Sequence, residues 1–453
     1  MGALLVIGSL VVFMGAVLAR LARQKPTRLH FDDKPAILTL RHPDGTTSPE
    51  SLKDLVKHHC PELFAPFKPT WWLFNGHLQT IYCVAGDFSK TDVLRYKRQL
   101  IQVIEGGTIG LDFAPADASQ LPEDAPIIVV LHGLTGGSYE SYVRSILVPA
   151  IARGYRAVVV NFRGCAGVPI TSGQMYSAGY TGDIRQALIY ISNLYPRAPL
   201  FGLGFSLGAN VLTRYLAEEG EQSRLLAGCA LACPWHLTKN NHVLRHTAIG
   251  RVYSRAMGAN LVNIIKKNYD GLSKQPKLAE PVANVLNLKN AFLDDFDETF
   301  TRIAGGSSAD FPFASAHDYY EWASSHTVLP KIRKPFLAIN AADDPVVQHV
   351  PFDGGGNGFV VMALTAAGGH LGWFHSSAEG KTVRWITRPV LEWLDFLSKL
   401  VVHPTQQYAK IYTDEAGFLR EEGRDGGCKA VEGGGFIEAS ADTRPITGAF
   451  QGL

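Results

Sequence analysis

Apolar residues along this chain follow two alternating rhythms. "IIVVLHGL" and "YRAVVVNFRG" are continuous runs rich in β-branched residues, the pattern of strands covered on both faces. "PLFGLGFS", "LLAGCALACPW", "PFLAIN" and "GFVVMALT" repeat it later in the chain. Between these runs, "SYVRSILVPAIARG", "TGDIRQALIYISNLYP" and "SLGANVLTRYLAEEG" carry apolar residues at helical spacing. Strands separated by helices predict right-handed crossovers and an α/β fold with a mostly parallel, doubly wound sheet. In such a sheet the working site lies beyond the carboxyl ends of the strands.

The rhythm breaks once inside this region and again at both ends. Residues 236–330 hold no good strand but several amphipathic stretches, including "IGRVYSRAMGANLVNIIKKN" and "PVANVLNLKNAFLDDFDETF". They read as a helical cap inserted between two late strands, able to exclude water and wall a substrate chain; a plain helical subdomain is the alternative. "GALLVIGSLVVFMGAVLA", residues 2–19, is uncharged and apolar, with Arg20, Arg23, Lys25 and Arg28 after it. That pattern predicts a single-pass membrane anchor with the rest of the chain in the cytosol, rather than a signal peptide or a buried helix. Which membrane is open; the endoplasmic reticulum and lipid-droplet surface both fit. The last fifty residues are rich in glycine and charge and read as a flexible tail. The expected division is therefore 1–25 anchor and basic flank, 26–91 N-terminal extension, 92–235 first part of the core, 236–330 cap, 331–403 second part of the core, and 404–453 tail.

Composition narrows the function classes. The 453 residues are 46% hydrophobic and 19% charged, with a net charge of +2, and no basic stripe interleaved with aromatics suggests a nucleic-acid partner. The six cysteines are scattered without C-x-x-C pairs or zinc spacing, and no H-E-x-x-H occurs. The expected site therefore uses no metal and no organic cofactor. Oligomeric state is not legible.

"FGLGFSLGAN", residues 201–210, carries the candidate chemistry. As a G-x-G-x-x-G phosphate cradle it fails, because Leu207 stands where the third glycine belongs. As G-x-S-x-G it fits through Gly204, Ser206 and Gly208, the strand-to-helix elbow that exposes a serine nucleophile. The other two members of such a triad follow in the order acid, then histidine. "PFLAINAADDPVV" offers Asp343 and Asp344 just past a strand, and Asp344, preceding the short turn, is favoured. Of the later histidines, His370 in "TAAGGHLGWF" directly follows a strand within a glycine-rich loop; His375 is the second choice, with His349 and His403 poorly placed. Backbone N–H groups of Leu207 and of Leu134, in "LHGLTGGS", are the candidate oxyanion donors.

With these segments in view, the sequence resembles the α/β-hydrolase superfamily. Within it, the likeness is to the AB hydrolase 4 branch of yeast medium-chain fatty-acid ethyl ester synthase/esterases, mammalian membrane-anchored abhydrolase phospholipases and bacterial YheT-like hydrolases. "NGHLQT", "HGLTGGS", "NFRGC", "YSAGYTGD", "GFSLG", "CPW", "HDYYEWASS" and "NAADDP" carry the likeness across about residues 67–400. The resemblance implies Ser206 as nucleophile, Asp344 as acid and His370 as base. It implies hydrolysis of medium-chain acyl esters, acylglycerols or phospholipid acyl chains, or acyl transfer to an alcohol. A non-catalytic lipid-binding scaffold is the reading from a different class, and the complete motifs speak against it.

Overall fold

The computed structural model describes residues 25–403, 407–439 and Gly452. Its central feature is a 12-stranded sheet. The strands, in chain order, are β1 (Arg28–Phe31), β2 (Leu94–Val103), β3 (Thr108–Ala114), β4 (Ile127–Leu131), β5 (Arg156–Asn161) and β6 (Leu200–Phe205). They continue with β7 (Leu225–Leu231), β8 (Phe336–Ala341), β9 (Val360–Thr365), β10 (Ile411–Thr413), β11 (Leu419–Glu421) and β12 (Gly427–Ala439). Across the sheet they run β1-β9-β8-β7-β6-β4-β5-β3-β2-β12-β11-β10. The block from β9 to β5 is parallel throughout, and the flanking strands on both sides are antiparallel.

The apolar runs explain this architecture directly. Every residue of β4, β5, β6 and β8 is buried. Alternate side chains feed two cores: Val129 and Leu131 of β4 join one, Ile128 and Val130 the other, as a period of two requires. Strand order reverses at β4, where β5 lies on one side and β6 on the other. The loop after β4 and the turn after β6 therefore meet at the switch point, where such sheets place their sites.

Two of the motifs are structural clamps. Arg163 of "NFRGC" donates from Nε and Nη2 to both oxygens of Asp183 of "YSAGYTGD", at 2.8 and 2.5 Å, and both side chains are buried. A bidentate, desolvated pair of this kind fixes loop geometry, and losing one partner strands a buried charge. Between β7 and β8 the described chain is helical, beginning with Leu237–His246 and Ala248–Lys267.

Two expectations need correction. Composition predicts a flexible tail from residue 404, yet within residues 411–439 the chain supplies β10, β11 and β12. The physical reason is the open edge of β2: pairing there uses backbone groups, so a glycine-rich, weakly apolar strand serves. Buried Cys428 and the Arg224–Glu421 and Arg424–Glu219 ion pairs hold the hairpin down. The single-pass anchor and the localisation built on it are also corrected. Among the described residues no helix is long and apolar enough to cross a membrane. The longest, Ala248–Lys267, has 20 residues but carries Arg251, Arg255, Lys266 and Lys267. The segment 2–19 itself lies outside the described residues.

Candidate active site

Ser206 sits between β6 and helix α2 (Leu207–Glu219), taking α1 as Gly76–Ala85. Its φ of 49° and ψ of −117° are unusual for a residue with a side chain, a strain on the order of 1–3 kcal/mol that persists where function uses it. The flanking glycines make the bend possible. A Cβ on Gly208 would lie 2.3 Å from the Leu131 carbonyl oxygen, and one on Gly204 would lie 2.6 Å from Ala209 Cα. The elbow is pinned by the Ser206 N–H donating to the Leu231 carbonyl at 2.9 Å.

His370 reaches the serine from the loop after β9. Ser206 Oγ and His370 Nε2 are 2.8 Å apart, and His370 Nδ1 is 2.8 Å from Asp344 Oδ2. Both the histidine and the aspartate side chain are fully buried. Asp344 Oδ1 accepts the N–H groups of Val346 and Val347 at 2.8 and 2.9 Å, leaving Oδ2 for the imidazole. That arrangement puts the proton on Nδ1 and frees the Nε2 lone pair to accept the serine hydroxyl proton.

Asp343 has a different task. Its Oδ1 accepts the Gly369 N–H at 2.9 Å, holding the loop before His370. From the other side, Thr80 Oγ1 accepts the His370 N–H at 2.8 Å and donates to the Gly76 carbonyl at 2.7 Å. Gln79 grips both backbone groups of Phe374. Helix α1 is thus a buttress for the histidine loop, a role not assigned from sequence although "NGHLQT" stood out as a motif. The remaining histidines lie elsewhere: His375 is in the hairpin strand Phe374–Ser376, His403 bonds the Leu397 carbonyl, and His349 lies near His236 and Lys239.

The loop after β4 brings Leu134 to the same cavity as Ser206 and Leu207. His132 shapes that loop. Its Nδ1–H donates to the Gly133 carbonyl at 2.7 Å, and its Nε2 accepts the Phe162 N–H at 3.2 Å. Complete burial pushes its pKa down to about 4, so the ring is a neutral brace. The N–H groups of Gly133 and Thr135 are taken by Tyr142 and Tyr176. The intervening Leu134 N–H has no acceptor among the described residues, and Leu207 opens a helix, where first-turn N–H groups have no intrahelical acceptor.

The cavity that holds Ser206 is also lined by a carboxyl, that of Asp297. Asp297 is buried and accepts the Tyr320 hydroxyl at 2.6 Å. Burial pushes its pKa from 3.8 up to about 6. The folded state therefore holds a proton that the unfolded chain has released between about pH 4 and 6, so stability falls as pH rises through that window. The loss is on the order of 3 kcal/mol. Asp297→Asn removes this slope. In urea unfolding at pH 4, 5, 6 and 7, the variant gains on the wild type up to pH 6 and the gap is constant above it.

Comparison with known proteins identifies the family. The family model for the alpha/beta hydrolase fold matches residues 126–350. Monoacylglycerol lipase of Saccharomyces cerevisiae is 31% identical over 386 residues, spanning 76% of this chain and 84% of the lipase. Medium-chain fatty acid ethyl ester synthase/esterase 2 of the same yeast is 29% identical over 403 residues, spanning 75% and 87%. Phospholipase ABHD3 of Homo sapiens is 28% identical over 338 residues, spanning 73% and 79%. With a relative more than 30% identical matched over most of both chains, and a G-x-S-x-G strand-to-helix bend at the switch point of its sheet, this chain belongs to the α/β-hydrolase fold family.

Proposed function

We propose that Ser206, His370 and Asp344 are the triad of this carboxylic ester hydrolase, and that it acts on medium-chain acyl esters or acylglycerols. Ser206 Oγ attacks the ester carbonyl while His370 Nε2 takes its proton, and Asp344 stabilises the imidazolium. The N–H groups of Leu134 and Leu207 receive the oxyanion, each contributing on the order of 3 kcal/mol to lowering the barrier. His370 then protonates the departing alcohol, and water releases the acyl group from Ser206. The observation carrying this reading is the pair of 2.8 Å contacts that link serine, histidine and aspartate. Helices between β7 and β8 act as the cap: Leu237, Leu244, Met257 and Leu261 line the cavity that holds Ser206, supplying apolar surface for an acyl chain.

An alcohol in place of water would yield a new ester, and the similarity to a synthase/esterase favours testing it. Purified protein incubated with a decanoyl ester releases decanoic acid, and raising ethanol diverts part of the product to ethyl decanoate. Turnover no faster than a buffer blank would refute the hydrolase reading; free acid as the sole product at high ethanol would refute the transfer reading alone.

A further inference from the structure

The helix that opens the cap, α3 (Leu237–His246), turns one face toward the nucleophile. Leu237, Asn240, Asn241 and Leu244 all line the cavity with Ser206. Their spacing of i, i+3, i+4 and i+7 is that of a single helical face, with Asn240 and Leu244 buried and Leu237 and Asn241 half-buried. Leucine at its ends is what an acyl cavity requires; two amides at its centre are not, and polar residues at such positions signal function.

Asn240 is 4% exposed. Its Oδ1 accepts the Gln348 N–H at 3.4 Å, while its Nδ2 donor finds no partner among the described residues. Asn241 Oδ1, an acceptor, is likewise buried without one. An unmatched buried amide group costs about 1–3 kcal/mol, so an apolar residue at either position would serve the fold better. One donor and one acceptor on residues that line the same cavity can together serve a hydroxyl, which both accepts and donates.

The position says which end of the substrate carries that hydroxyl. Asn240 is tied to Gln348, four residues beyond Asp344, and Val346 of the same loop lines the cavity. The same loop carries Asp344, the partner of His370, and His370 must hand its proton to the leaving oxygen, so the alcohol portion is assigned to this wall. Met175, Ala178 and Leu261 leave the remaining wall for the acyl chain. No lysine or arginine lines the cavity among the described residues, so a phosphate on the alcohol would be buried without a countercharge.

We infer that Asn240 and Asn241 form a hydroxyl-recognition subsite for the leaving alcohol, selecting neutral glycerol monoesters over simple alkyl esters and over lysophospholipids. The inference rests on the hydrolase reading above and deepens it. A site built to bond a hydroxyl discriminates strongly against an analogue that lacks it, because its own groups are then left unmatched.

The test compares kcat/KM for 1-decanoylglycerol, ethyl decanoate and decanoyl lysophosphatidylcholine on the full chain. Wild type favours the glycerol ester at least tenfold over both others. Asn241→Leu and Asn240→Leu lower the glycerol-ester value by about 10–100-fold and change the ethyl-ester value less than threefold. Equal losses on the glycerol and ethyl esters would make the amides structural and overturn the subsite. So would unchanged glycerol-ester turnover in both variants, or lysophosphatidylcholine cleaved as fast as the glycerol ester. A wild type inactive on all three esters would instead overturn the hydrolase reading.

Discussion

Replacing Ser206 by alanine lowers kcat for ester cleavage by about 10⁶-fold, without loss of folded stability. The oxygen removed is the proposed reacting atom, and His370 cannot substitute for it from its place behind the serine. Cavity and oxyanion donors remain, so residual turnover over the uncatalysed reaction is expected. Stability is spared because the elbow is shaped by neighbouring glycines and by the Ser206 N–H bond to Leu231, neither of which alanine disturbs. The backbone strain at φ 49° also remains in the alanine variant. Ser206→Gly relieves it, so the glycine variant is equally inactive but more stable than the alanine variant by about 1 kcal/mol. Esterase assays and urea midpoints on both variants check the pair of effects.

Asp344→Asn lowers kcat by about 10⁴-fold, whereas Asp343→Asn costs less than tenfold. The contrast follows from what each carboxylate accepts. Asp344 takes two backbone N–H groups on Oδ1 and the His370 ring N–H on Oδ2. An asparagine that keeps its oxygen toward Val346 and Val347 turns its NH₂ toward Nδ1. The ring must then carry its proton on Nε2, where it can no longer accept from Ser206. Asp343 accepts the Gly369 N–H on Oδ1, and an asparagine oxygen does this equally well. Steady-state kinetics on the two single variants decide between the adjacent acids.

The parts of this site that were legible in sequence are those with local causes. Continuous β-branched runs mark strands covered on both faces, and the G-x-S-x-G glycines mark a bend that no Cβ would tolerate. The acid and the histidine each follow such a run in the chain order the elbow demands. What was not legible depends on partners far away along the chain. Thr80 supports His370 across 290 residues, and nothing near "NGHLQT" says so. Asp297 is buried by Tyr320 and the surrounding cap, packing that its own stretch of sequence does not announce. The direction in which Asn240 and Asn241 face is set by tertiary packing, which the local sequence does not state. The tail misled for the opposite reason: its composition is that of a flexible segment, but an unpaired sheet edge asks little of the side chains that cover it.

The central claim, that Ser206 is the activated nucleophile, is tested most directly by fluorophosphonate labelling of the purified chain followed by peptide mapping. A single adduct on Ser206, slowed strongly in His370→Ala and absent in Ser206→Ala, is the predicted result. Folded wild type that forms no adduct at Ser206, or undiminished labelling of Ser206→Ala, would contradict it.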